Sequence, residues 1–132
     1  MRLLTLDYGA ARTGVAISDE TATIARPFGV VERAGTAPGL AALREMVATE
    51  GVSLVVVGLP VSLDGGEHGQ ARDVRSFVAR LRNSIDVPVV LYDERFTTAI
   101  AQQRGGAGAL DARAAAQILE DYLSANEFRL RP

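Results

Sequence analysis

Five consecutive residues, Leu54-Val55-Val56-Val57-Gly58, carry no polar side chain. A strand with one wet face alternates apolar and polar residues. An unbroken apolar run of this length reads instead as a strand covered on both faces. Such a strand needs a sheet with helices packed on either side, which constrains the chain toward an α/β architecture. A second run, Val89-Val90-Leu91-Tyr92, opens at Pro88 and closes at Asp93-Glu94, and it reads the same way.

The remaining pattern fits around these two strands. Residues 2–8, 14–18 and 27–33 read as three further strands with short breaks between them, which predicts an antiparallel meander. Thr36, with Pro38 two residues on, is a helix start; Leu40, Leu43, Met46 and Val47 follow at helical spacing, and Gly51 closes the helix. A polar, glycine-rich loop runs from Ser62 to Gly69. It leads into a second helix with Ala71, Val74, Val78, Leu81 and Ile85 on one stripe. The chain finishes with helical sequence over roughly 97–104 and 111–125, separated by Gly105-Gly106-Ala107-Gly108. The order β-β-β-α-β-α-β-α, with right-handed crossovers, predicts a mixed five-stranded sheet flanked by helices, the arrangement of the ribonuclease H-like fold. Order alone carries no chemistry.

A length of 132 residues suits one domain spanning 1–132. With no cysteine, disulfides, thiolate metal sites and a cysteine nucleophile are excluded. Met1-Arg2 runs into Leu3-Leu4-Thr5-Leu6, a stretch too short for a signal peptide that ends at Asp7. No apolar run approaches the ~18 residues of a membrane span. The expectation is a cytoplasmic protein without a membrane partner. The net charge of −2 argues mildly against nucleic acid as a partner. All 14 basic residues, however, are arginine, the better fork for phosphate oxygens. Codon preference in a GC-rich genome is the plainer account of the arginines.

Three places could carry chemistry. Asp7 ends the first buried strand, at the sheet edge where ligands of open α/β sheets bind. Asp93 and Glu94 end a strand expected to run parallel to it, and strand alternation lets only one of the two aim at Asp7. Asp111 precedes an alanine-rich helix. Each has a plainer reading: a strand-to-turn aspartate for Asp7, a solvated strand end for Glu94 and Arg95 with Thr97 capping the next helix, and an N-cap for Asp111. Three convergent carboxylates would suit Mg²⁺ (or Mn²⁺), a hard cation that takes oxygen ligands and keeps waters for a phosphate substrate. Two such ions could hold the attacking and leaving oxygens of a phosphodiester. His68, the only histidine, lies in the glycine-rich loop, where a solvated side chain is the plainer reading.

Together these pieces resemble the YqgF/RuvX family, over about residues 3–125. The pieces are Leu6-Asp7-Tyr8-Gly9 with Arg12, Gly14, Val15 and Ala16; Val57-Gly58-Leu59-Pro60 with Asp64-Gly65; Asp93-Glu94-Arg95-Phe96-Thr97-Thr98; and Asp111 with Ala114-Ala115, Ile118-Leu119 and Tyr122-Leu123. The family includes nucleases that process pre-16S ribosomal RNA and proteins described as Holliday junction resolvases. The resemblance implies a Mg²⁺-dependent nuclease with Asp7, Glu94 and Asp111 as metal-binding, catalytic acids. It implies substrate contacts from Arg12, Arg95 and Thr97, and structural roles for Gly58 and Pro60. The implied partner is nucleic acid, pre-rRNA or alternatively branched DNA, bound by a monomer or homodimer. A non-catalytic nucleic-acid-binding module is the reading from another class. Two departures stand out: Ala11 replaces a frequent lysine, and Ala99–Leu110 carries Arg104 as its only charge, where the family often has a longer basic stretch.

Overall fold

A computed structural model of the chain describes residues 1–60, 69–93 and 108–125, the last segment with side chains from residue 112 onward. The described elements, in chain order, are β1 (Arg2–Asp7), β2 (Arg12–Ser18), β3 (Ala25–Glu32), α1 (Ala37–Glu50), β4 (Val52–Leu59), α2 (Gly69–Ser84), β5 (Val89–Asp93) and α3 (Gly108–Ala125). The strands form one sheet in the order β3-β2-β1-β4-β5. β1, β2 and β3 make the antiparallel meander, and β4 and β5 join β1 in parallel. β1, β3, β4 and β5 therefore end at the same rim, where β2 begins.

Alternation along the strands divides the core in two. Leu4, Leu6, Val15, Ile17, Val55 and Val57 point to one face. There they meet Leu43 and Val47 of α1 and Val74, Phe77, Val78 and Leu81 of α2. Leu3, Ala16 and Val56 point to the other face and meet Ala115, Ala116, Leu119 and Leu123 of α3. Both faces of β4 are thus covered, as its uninterrupted apolar sequence requires.

The first helix begins and ends as its sequence dictates. Thr36 sits in extended conformation and its hydroxyl accepts a bond from the Gly39 amide, while Gly51 closes the helix in the left-handed conformation. Gly39 is there for lack of room: a Cβ would lie 2.2 Å from the Arg33 carbonyl oxygen. The last helix differs from expectation. α3 starts at Gly108, so Asp111 is its fourth residue and not the N-cap preceding it. Ala109 and Leu110 are strong helix formers, and they extend the helix upstream as far as the glycine. The helix expected over 97–104 lies outside the described residues, as does His68. Among the described residues, no helix is long and apolar enough to cross a membrane.

Candidate active site at the carboxyl rim

Asp7 closes β1, the central strand, where pairing stops and the chain turns. Its side chain follows the parity of Leu3 and Thr5, so it belongs to the face covered by α3. It is half-buried. Its neighbour across β2 is Gly14, which has no side chain. On the other side, β1 and β4 are last paired at Leu6 and Val57, so Gly58 is the next residue in register with Asp7. Asp7 is thus flanked by glycine on both neighbouring strands.

The register reaches β5 as well. Gly58 pairs with Tyr92 and Leu59 with Asp93. Tyr92 thus shares a row with Asp7 and a face with α3, where it makes an edge-to-face contact with Tyr122 at 5.6 Å. Burial first, and then the negative charges of Asp121 and Asp93, push the Tyr92 phenol above its usual range, so it stays protonated at neutral pH. Asp93 is one residue on, with the parity of Leu91, which packs against the α1/α2 core. Asp93 therefore belongs to the face opposite Asp7.

The loops of the rim are tied together. Gly9 allows the β1–β2 turn to close, since a Cβ there would meet the Arg12 carbonyl oxygen at 2.5 Å. Thr13, fully buried, exchanges hydrogen bonds with the Gly9 backbone at 3.4 Å. The Arg33 amide donates to the Ala11 carbonyl at 3.0 Å, fastening the β3–α1 loop to the β1–β2 loop. Arg33 is in the left-handed region at φ 47°, and its own carbonyl accepts from the amide and hydroxyl of Thr36. Tyr8 turns to the α1/α2 side and stacks on Phe77, with ring centroids 4.4 Å apart.

Of the residues singled out in the sequence, Asp7 and Arg12 stand at this rim, Arg12 as the exposed first residue of β2. Asp111 lies in the first turn of α3, the helix that covers Asp7's face. Glu94, Arg95 and Thr97 lie outside the described residues. Among the described residues, no three acidic, histidine or cysteine side chains gather into a metal cluster. That set includes neither Glu94 nor the Asp111 side chain. What the rim does show fits a hard divalent cation: a carboxylate oxygen donor, with glycine on either side of it. The tied loops around Arg33 had no signature in the sequence, because neither a left-handed arginine nor a long-range amide–carbonyl bond leaves a pattern in residue spacing.

Comparison with known proteins bears on the family and the fold. The family model RuvX, described as "Holliday junction resolvase", matches residues 1–125. A protein of Anaplasma marginale (strain St. Maries), described as "Putative pre-16S rRNA nuclease", is 43% identical over 124 residues, 94% of this chain and 78% of its own length. A protein of Anaeromyxobacter dehalogenans (strain 2CP-C) with the same description is 41% identical over 132 residues, 93% of this chain and 96% of its own. Among solved structures, "T. thermophilus RuvC in complex with Holliday junction substrate" matches with a TM-score of 0.62 at 16% identity, covering 96% of both chains. The fowlpox virus Holliday junction resolvase matches with a TM-score of 0.52 at 12% identity, covering 95% of this chain and 99% of that one. At such identities the structures speak to the fold alone, and the fold is ribonuclease H-like.

Proposed function

The chain belongs to the RuvX family and is a hydrolase acting on nucleic acid, and from that premise we propose that it is a Mg²⁺-dependent nuclease processing the pre-16S rRNA in the cytoplasm, all 132 residues forming one domain. The observation that carries this reading is the position of Asp7. It ends the central strand, between two glycines, on the face that α3 covers. Asp93, with the parity of Leu91, belongs to the opposite face, which supports Glu94 as the acid of the pair, as the family resemblance implies. Asp111, early in α3, is the third acid of the set.

Asp7, Glu94 and Asp111 would hold the divalent cation, which when bound supplies the positive charge that offsets charge developing on the phosphate. Mn²⁺ offers the same ligand preference. No side chain needs to form a covalent bond. The carboxylates orient what lies between them, and Arg12, Arg95 and Thr97 hold the phosphate oxygens. The tied β1–β2 and β3–α1 loops keep Arg12 in place without rearrangement, so positioning is built in before substrate arrives.

A second reading, resolution of four-way DNA junctions, is favoured by the description attached to the matching family model. A resolvase cuts two symmetry-related strands and needs two acid sites, hence a stable homodimer. The experiment incubates purified protein with precursor 16S rRNA and with a four-way DNA junction, each with Mg²⁺ and with chelator, alongside sedimentation. The proposal expects Mg²⁺-dependent cutting of the RNA precursor. Cutting of the junction alone, by a dimer, establishes the second reading in its place. Binding of both nucleic acids with no cutting of either leaves a non-catalytic binding module.

A further inference from the structure

Two arginines that the active site does not use are carried to its edge. Arg33 leaves β3 at the same rim as Asp7, in the left-handed conformation, with its amide on Ala11 next to Arg12. Arg80, from the middle of α2, reaches across and donates from Nη1 to the Gly35 carbonyl at 3.0 Å. Gly35 keeps the space that this needs: a Cβ there would lie 3.1 Å from Arg80 Nη2 and 3.3 Å from the Tyr8 hydroxyl. Two loops and a helix thus meet here: the β3–α1 loop that carries Arg33 and Gly35 receives the Arg80 guanidinium and the Tyr8 hydroxyl at Gly35 and is tied to the β1–β2 loop at Ala11, next to Arg12. Arg33 and Arg80 are exposed, and neither forms an ion pair with a carboxylate among the described residues.

Arg33 and Arg80 thus set two exposed positive charges at one rim, with no carboxylate ion pair among the described residues, and guanidinium forks match phosphate oxygens in geometry. The patch also has a direction. Asp7 faces the α3 side of the rim, while Tyr8, the next residue, faces the α1/α2 side with the arginines.

Resting on the nuclease reading, we infer that Arg33 and Arg80, at the rim beside Tyr8, form a phosphate track that grips the nucleic-acid backbone flanking the scissile bond. The track supplies basic grip in a chain whose 99–110 stretch has one charged residue. It reads charge and not sequence, so it acts on affinity and on the salt dependence of binding.

The test measures binding of a fluorescent stem–loop RNA with a single-stranded flank, by anisotropy in chelator, across a salt series. The proteins are wild type, Arg33→Gln, Arg80→Gln, the double variant and Arg26→Gln. Arg26 is exposed near the start of β3, at the opposite end of the sheet, and serves as control. Glutamine at 80 keeps a donor for Gly35, and thermal unfolding verifies the fold. The expected result is a logarithmic salt slope shallower by about one for each arginine replaced at 33 and 80, with Arg26→Gln unchanged. Arg80→Lys should restore the slope. A folded double variant with the wild-type slope overturns the track, as does an equal loss in Arg26→Gln. Because the assay runs without cleavage, it stands apart from the nuclease reading, which fails instead if Asp7→Asn still cuts.

Discussion

The two faces of the sheet are built to different thicknesses. The α1/α2 face is filled by large side chains: Leu4, Leu6, Ile17, Leu43, Phe77 and Leu81 are all fully buried. The α3 face is filled largely by small ones, with Ala16 on the sheet meeting Ala115 and Ala116 on the helix. A helix that presents alanine to a sheet lies close against it. The thick face supplies most of the apolar burial that holds the domain together. The thin face keeps α3 near the strands, on the side where Asp7 ends β1. Most of the apolar burial and the proposed chemistry thus lie on opposite sides of the same strands.

The two faces should fail in opposite ways. Removing volume from the thick face does the greater harm. Phe77→Ala empties a fully buried site and removes the partner of the Tyr8 ring, so it should cost about 3–5 kcal/mol, read by denaturant unfolding. On the thin face, adding volume is the injury. Ala115→Leu, at a fully buried site, should cost about 1–3 kcal/mol by forcing α3 outward. It should also lower cleavage more than its stability loss explains, because Asp111 moves with the helix. If Ala115→Leu is neutral in both measurements, the close packing of α3 has no part in the site.

Most of this division was legible in the sequence. The uninterrupted Leu54–Gly58 run required two covered faces, and the helix stripes provided the covers. Thr36 and Gly51 marked the ends of α1 by their own cap chemistry. The start of α3 was misplaced because an aspartate before alanines makes a good cap, whereas Ala109 and Leu110 propagate the helix past it. Asp7 could be located because strand ends define a rim, whereas Arg12 was implied by the family resemblance. Arg33 and Arg80 could not, since what joins them is a backbone bend and a bond between residues 45 apart in sequence.

Smaller effects sharpen the comparison. Thr5 is fully buried on the thin face, two residues before Asp7, and its hydroxyl has no hydrogen-bond partner among the described residues. An unpartnered buried hydroxyl is a cost, so Thr5→Val should be neutral or stabilising by up to about 1 kcal/mol, with cleavage unchanged. A loss of cleavage at full stability would give that hydroxyl a role beneath Asp7. The smallest effect lies far from the rim. The Asp19 carboxylate accepts bonds from the Thr21 hydroxyl and the Ile24 and Thr23 amides, which hold its pKa well below the usual carboxylate range. A depressed folded-state pKa means that its contribution is present above the unfolded value, about pH 4, and is lost as pH falls below it. Asp19→Asn should flatten the acid limb of the stability profile, measured as denaturant midpoint against pH, and leave cleavage at neutral pH untouched.

The central claim is that the chemistry sits on the α3 face of the rim. Its most direct test is a cleavage assay of Asp7→Asn, Glu94→Gln and Asp93→Asn side by side, with Mg²⁺ present and each fold verified by thermal unfolding. Asp7→Asn and Glu94→Gln should each lose at least about a hundredfold in rate while remaining folded, since an amide keeps the shape but not the charge that a hard cation requires. Asp93→Asn, on the opposite face, should cut at close to the wild-type rate. Loss with Asp93→Asn and not with Glu94→Gln, or wild-type cleavage by Asp7→Asn, would contradict the assignment of the acids to that face.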